Sequence, residues 1–146
     1  MWFKKPADMW ATATGEEGGL PLIYRYRTNR PHRAKPDTLP CALRVVWRFD
    51  GSTNNGMPLP KDNEAHIRFE DAIEKLTEGP DSFLMLVLTG NSRKEWLFYT
   101  RTTDDWAAAL TKRLAKHPPY PLEIGGWPDA SWSTWQDFAS SVSGES

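Results

Sequence analysis

The stretch that most limits what this chain can become is residues 83–101, reading FLMLVLTGNSRKEWLFYTR. Its first part, Phe83 to Leu88, is an unbroken apolar run. That run is too short to span a membrane and has the length of a strand buried on both faces. Glu95 to Thr100 is aromatic-rich, which suits a neighbouring strand. Thr89, Gly90, Asn91 and Ser92 lie between them, and residues of this kind tolerate the positive φ of a tight hairpin. The stretch predicts the central hairpin of a sheet.

A chain of 146 residues suits one domain, long enough to bury about 70% of the surface its unfolded form exposes. The net charge of −1 conceals segregation. Residues 25–48 hold six Arg and one Lys against one Asp, whereas residues 50–81 hold eight acids against three bases. Blocks of opposite sign suit either a binding surface or differently solvated faces. Cys41 is the one cysteine, so no disulfide can form within the chain. No signal-peptide core and no membrane span are visible, and the expected location is cytoplasmic.

Along the chain, residues 1–19 combine Trp2, Phe3 and Trp10 with a glycine- and acid-rich run, and predict a flexible N-terminal lead. Leu20–Arg27 alternates Tyr24 and Tyr26 against Arg25 and Arg27, predicting a half-exposed strand. Cys41–Asp50 alternates Leu43, Val45, Trp47 and Phe49 against Arg44, Val46 and Arg48. A turn-rich run to Pro60 precedes a helix expected from Asp62 to Glu78, with Ala65, Phe69, Ala72, Ile73 and Leu76 on one stripe. After the hairpin, Thr102 and Asp105 have capping-box spacing for a helix over 103–116, with Trp106, Leu110 and Leu114 inward. Residues 120–125 predict a last strand. The tail, 127–146, repeats Trp132, Trp135 and Phe138 at three-residue steps and predicts a short aromatic-edged helix.

The order is βαββαβ over residues 20–126: an α+β, ferredoxin-like (split βαβ) antiparallel sheet with two helices on one face. Strand 20–27 is an addition at an edge or paired with 41–50, and strands 41–50 and 83–89 are expected at the centre. Leu43, Val45, Trp47, Phe69, Ile73, Trp106, Leu110 and Leu114 form the expected core. Two helices cover only one face, yet the hairpin strands are apolar on both. The other face therefore requires the Trp-rich tail, the N-terminal Trp residues, a second protomer in a homodimer, or a partner.

Several stretches together resemble the bacterial family called domain of unknown function 695: residues 21–29, 43–50, 55–58, 68–76, 88–101, 118–124 and the tail's PDASWSTW. The fold implied is similar to that of the regulator of ribonuclease E activity, B type, a small inhibitor that binds an enzyme. Such domains also resemble small immunity proteins that neutralise toxins. The resemblance implies a toxin or ribonuclease-like protein partner and supplies no catalytic residues.

Chemical candidates are few. His66 and Glu70 stand four apart on the first helix, which suits half of a metal site or, more often, a surface pair. The acids Glu70, Asp71 and Glu74 read as a solvated helix exterior. Cys41 reads as a buried, inert thiol. No phosphate loop or nucleophile elbow occurs. No metal, cofactor or catalytic residue is expected. The expectation is a non-enzymatic protein-binding domain, an inhibitor or immunity-type regulator, engaging its partner through Arg25, Arg27, Arg44, Arg48, Trp96 and Tyr99. One alternative is an RNA-binding module using a basic and aromatic sheet face, though the pI of about 6.3 argues against it. An uncharacterised enzyme is the other.

Overall fold

The computed structural model describes residues 9–143. The N-terminal anchors expected at Trp2 and Phe3 lie outside that range. Six strands and three α-helices follow in the order β1 (Trp10–Glu17), β2 (Leu20–Arg27), β3 (Cys41–Arg48), α1 (Pro60–Ala72), β4 (Ser82–Gly90), β5 (Arg93–Thr100), α2 (Thr103–Arg113), β6 (Leu122–Pro128) and α3 (Ser133–Ser143). The strands form one antiparallel sheet ordered β1-β2-β4-β5-β3-β6. Within it β4-β5-β3-β6 is the arrangement expected of the split βαβ unit, and the N-terminal hairpin extends it beyond β4. β4 and β5 are central, while β3 lies one strand from the edge, a correction to its expected place.

The central hairpin turns at Asn91 and Ser92, with φ of 49° and 64°, the left-handed pair of a two-residue hairpin loop. Gly90 precedes them at φ 147°, and a Cβ there would meet the Pro21 carbonyl oxygen at 2.5 Å. Only glycine allows β2 to pass so close.

Residues 10–17 are not a flexible lead. Trp10–Glu17 pairs along its whole length with β2. Alanine, threonine and glycine give a weak hydrophobic signal, but backbone ladder bonds need no side chain, and Trp10 and Ala11 lend the strand some apolar contact on either face. Strand β2 lies between β1 and β4, not against β3. Helix α1 starts at Pro60, two residues before the expected start, because proline suits the first helical position; the Asp62 carboxylate accepts from the Leu59 N–H at 3.1 Å. α1 ends at Ala72, and a 3-10 turn over Glu74–Leu76 carries the chain on. Thr102 caps α2, its hydroxyl accepting from the Asp105 N–H at 3.0 Å.

The sheet has a core on each face. On one, Leu43, Val45, Trp47, Leu84, Val87, Trp96 and Phe98 meet Phe69 of α1, Ile73 just after it, and Trp106 and Leu110 of α2. Leu114, expected among them, is partly buried at the margin. On the other, Tyr26, Ala42, Phe83, Met85, Leu97 and Tyr99 meet Trp132, Trp135 and Ala139. The C-terminal tail, one of four candidates, thus covers the second face. A β-bulge at Met85 permits both cores. The register shifts between Leu84 and Leu86, so Leu84 and Val87 both face α1 and α2, while Met85 and Leu86 face α3.

Candidate protein interface

Helix α3 is held by one carboxylate. Asp129 accepts from the Tyr99 hydroxyl at 2.6 Å, the Ser133 N–H at 2.9 Å, the Ser133 hydroxyl at 2.8 Å and the Thr134 N–H at 3.0 Å. It is the N-terminal cap of α3 and its clamp on the sheet. Burial works against its charge, but the hydrogen bonds from Tyr99, Thr134 and Ser133 outweigh it and bring its pKa down to about 2. The same burial, with the bond to Asp129, pushes the Tyr99 phenol up. Trp132 stacks on Tyr99 at 4.5 Å with its ring nearly parallel. The indole N–H groups of Trp132 and Trp135 donate to the carbonyls of Leu39, at 3.0 Å, and Arg27, at 2.8 Å.

This arrangement redistributes the six residues expected to bind a partner. Tyr99 is fully buried beneath α3. Trp96 is fully buried on the opposite face, donating its indole N–H to Glu70 at 2.8 Å. Neither can touch a partner. Residues 96 and 99 differ by an odd number, so a regular strand must send them to opposite faces. Arg25 and Arg27 also lie on the α1 face. Arg27 is buried, its guanidinium donating to the Leu84 carbonyl at 2.7 Å and lying over the Trp10 ring. Arg25 pairs with Glu70 at 3.4 Å and also sits over Trp10.

Arg44 and Arg48 do share an exposed surface, the part of the second face nearest β6. There Arg44 pairs with Glu95 at 3.2 Å and its guanidinium lies 4.8 Å from the Trp127 ring centre. Arg48 pairs with Glu123 at 3.1 Å, both side chains more than 60% exposed. Glu95 in turn holds Arg93 at 2.6 Å, and Arg93 holds Glu17 at 2.9 Å, so alternating charges cross the sheet. Val46, Gly125 and Trp127 complete a shallow hollow of about 350 Å³ beside Arg44.

Its border is β6, which pairs with β3 on one side and ends the sheet on the other. Gly125 and Gly126 are exposed, and so is Ile124. A Cβ at Gly125 would meet nothing within 4 Å, whereas one at Gly126 would lie 2.0 Å from the Thr103 hydroxyl. The sequence reading missed Glu123, Gly125 and Trp127. The Gly-Gly pair reads as a turn in isolation, and only the pairing of Trp127 with Ala42 shows that the strand continues through it.

The other chemical candidates also find their places. His66 is not on a solvated face: it is fully buried against Trp47 at 4.7 Å, Phe49 at 5.6 Å and Trp96 at 6.0 Å. Burial, aided by the Lys94 charge, lowers its pKa to about 4. Glu70 is engaged with Trp96, Arg25 and Lys94. Among the described residues no three His, Cys, Asp or Glu side chains gather into a set that could hold a metal. Cys41 is half-buried, its sulfur 3.6 Å from the Thr103 hydroxyl. No described helix is long and apolar enough to cross a membrane.

No curated protein matches the chain. The model of one family, described as a family of unknown function (DUF695), matches residues 8–140.

Proposed function

The chain belongs to the domain of unknown function 695 family, and from that premise we propose that it is a non-enzymatic protein-binding domain, an inhibitor or immunity-type regulator acting by stoichiometric association. The observation that carries the reading is the edge at β6. An exposed strand whose outer backbone groups face no neighbouring strand is a template for a partner's extended segment. Gly125, where a Cβ would meet nothing within 4 Å, lets that segment approach without a side chain in the way. Trp127 and Arg44 beside it are residue types that dominate interface energetics. Arg48 and Glu123 hold each other only as an exposed pair, so little is lost when a partner's charged group takes one of them. The partner we assign is a protein presenting an extended strand with an acidic side chain opposite Arg48.

The RNA reading has less support. The arginines it needs are divided between both faces of the sheet, and Arg25, Arg44 and Arg48 are each opposed by a carboxylate.

The test is site-specific photo-crosslinking at position 125 in the native host, followed by binding measurements with the purified partner. A 1:1 complex is expected, weakened about tenfold or more by Gly125→Lys and by Arg48→Glu, a loss of roughly 1.4 kcal/mol. Both substitutions sit at exposed positions and should leave thermal stability unchanged. Unaltered affinity in both variants, or no crosslinked protein, would overturn the assignment.

A further inference from the structure

A second cavity lies away from β6. It is a cleft of about 640 Å³ between α2 and the loop that joins the 3-10 turn to β4. Its size lies within the range of small-molecule sites. Lys75, Arg101, Lys112 and Arg113 stand around it, against the carboxylates of Asp81 and Asp105. Arg101 and Asp81 neutralise each other at 2.7 Å. Lys75, Lys112 and Arg113 carry no such pairing among the described residues. Four cations against two carboxylates leave a surplus of two positive charges around one cleft in a chain of net charge −1.

The wall supplies the second observation. Trp106 is buried and packs at 4.7 Å on Phe98, yet its indole N–H has no acceptor among the described residues. A buried donor without a partner is costly, and three other buried tryptophans, Trp96, Trp132 and Trp135, each have one. Leu76, Pro80 and Ala109 make the rest of the wall partly apolar.

We infer that this cleft is a binding site for a small organic anion: an apolar body seated against Trp106 and Ala109, with a carboxylate, sulfonate or phosphate held by Lys112, Arg113 and Lys75. None of the residues proposed to dock a protein partner lines the cleft, so the two sites are separable.

The experiment is a titration of ¹⁵N-labelled protein with naphthalene-1-sulfonate, followed by two-dimensional NMR. Saturable shifts are expected for the Trp106 indole cross-peak and for the backbone amides of Gly79 and Ser82. Lys112→Glu with Arg113→Glu should weaken binding about tenfold or more while leaving the rest of the spectrum in place, and 1-naphthol should bind about tenfold more weakly than the sulfonate. An Ala109→Phe variant, which fills the cleft without changing charge, should also lose binding. The site would be refuted by absence of shifts at millimolar probe, by shifts centred elsewhere, or by equal binding of the naphthol or of the charge-reversed protein. None of these outcomes depends on the interface at β6.

Discussion

At the scale of single residues, Asp129 has the largest set of dependants. It satisfies the Tyr99 hydroxyl and three donors at the start of α3. Asp129→Ala removes a cap and leaves a buried phenol without its acceptor, so a cost of roughly 2–4 kcal/mol is expected. Tyr99→Phe deletes one of the four donors and also the hydroxyl that accepts from the Trp135 N–H at 3.3 Å, and should cost about 1–2 kcal/mol; urea titration of both variants checks the difference. The pH dependence follows in sign. The folded pKa of about 2 lies below the ordinary carboxylate value. Its stabilisation is therefore full above about pH 4 and is lost as pH falls toward 2, by on the order of 2 kcal/mol. Asp129→Asn should flatten that acid limb. Phe69 is fully buried between Trp47 and Trp96. Phe69→Ala should cost roughly 3–5 kcal/mol, and a loss below about 1 kcal/mol would mean the core collapses around the gap.

At the scale of elements, α1 carries a titrating group into the core. His66 is fully buried with a pKa lowered to about 4. An unfolded chain protonates this histidine near pH 6.5, whereas the folded one resists until about pH 4. Stability contributed by the neutral ring is thus complete above 6.5 and declines between 6.5 and 4, by on the order of 3 kcal/mol. His66→Phe should abolish that part of the decline in chemical denaturation measured across the same pH range. α3 has a different task. Removing residues 129–146 would uncover Phe83, Met85, Leu97 and Tyr99 together, an apolar surface that a monomer rarely leaves bare. The shortened chain should aggregate or bind a hydrophobic dye at neutral pH. If it remains a dye-free monomer, the second core is dispensable.

For the whole molecule, covering of the second face by the chain's own tail removes the need for a second protomer there. Light scattering at micromolar concentration should therefore report one chain. A dimer disrupted by Gly125→Lys would instead place the copy at the β6 edge, and with it the protein partner we propose.

Short-range patterning was the part of the fold legible in the residues alone. The hairpin turn at Asn91 and Ser92, the Thr102 cap, the alternation of β3 and the stripes of α1 and α2 are local signals, and their order names the split βαβ unit. The same periodicity identified the helix-side core in part: Leu43, Val45, Trp47, Phe69, Ile73, Trp106 and Leu110, but not Leu84, Val87, Trp96 or Phe98. Tertiary structure alone decided four things. Ala, Thr and Gly in β1 hold no hydrophobic information, so its place came from backbone pairing with β2. The bulge at Met85 shifted the face of each residue after it by one position, which no alternation rule anticipates. Of four covers equally compatible with an apolar second face, Asp129 and the two tryptophans selected α3, through contacts as distant in sequence as Trp135 with Arg27. Finally, the expected interface divided: Trp96 and Tyr99 became core, and only Arg44 and Arg48 remained on one surface. Side chains several strands apart are brought together or separated by sheet order and register, which depend on long-range pairings that no local stretch encodes.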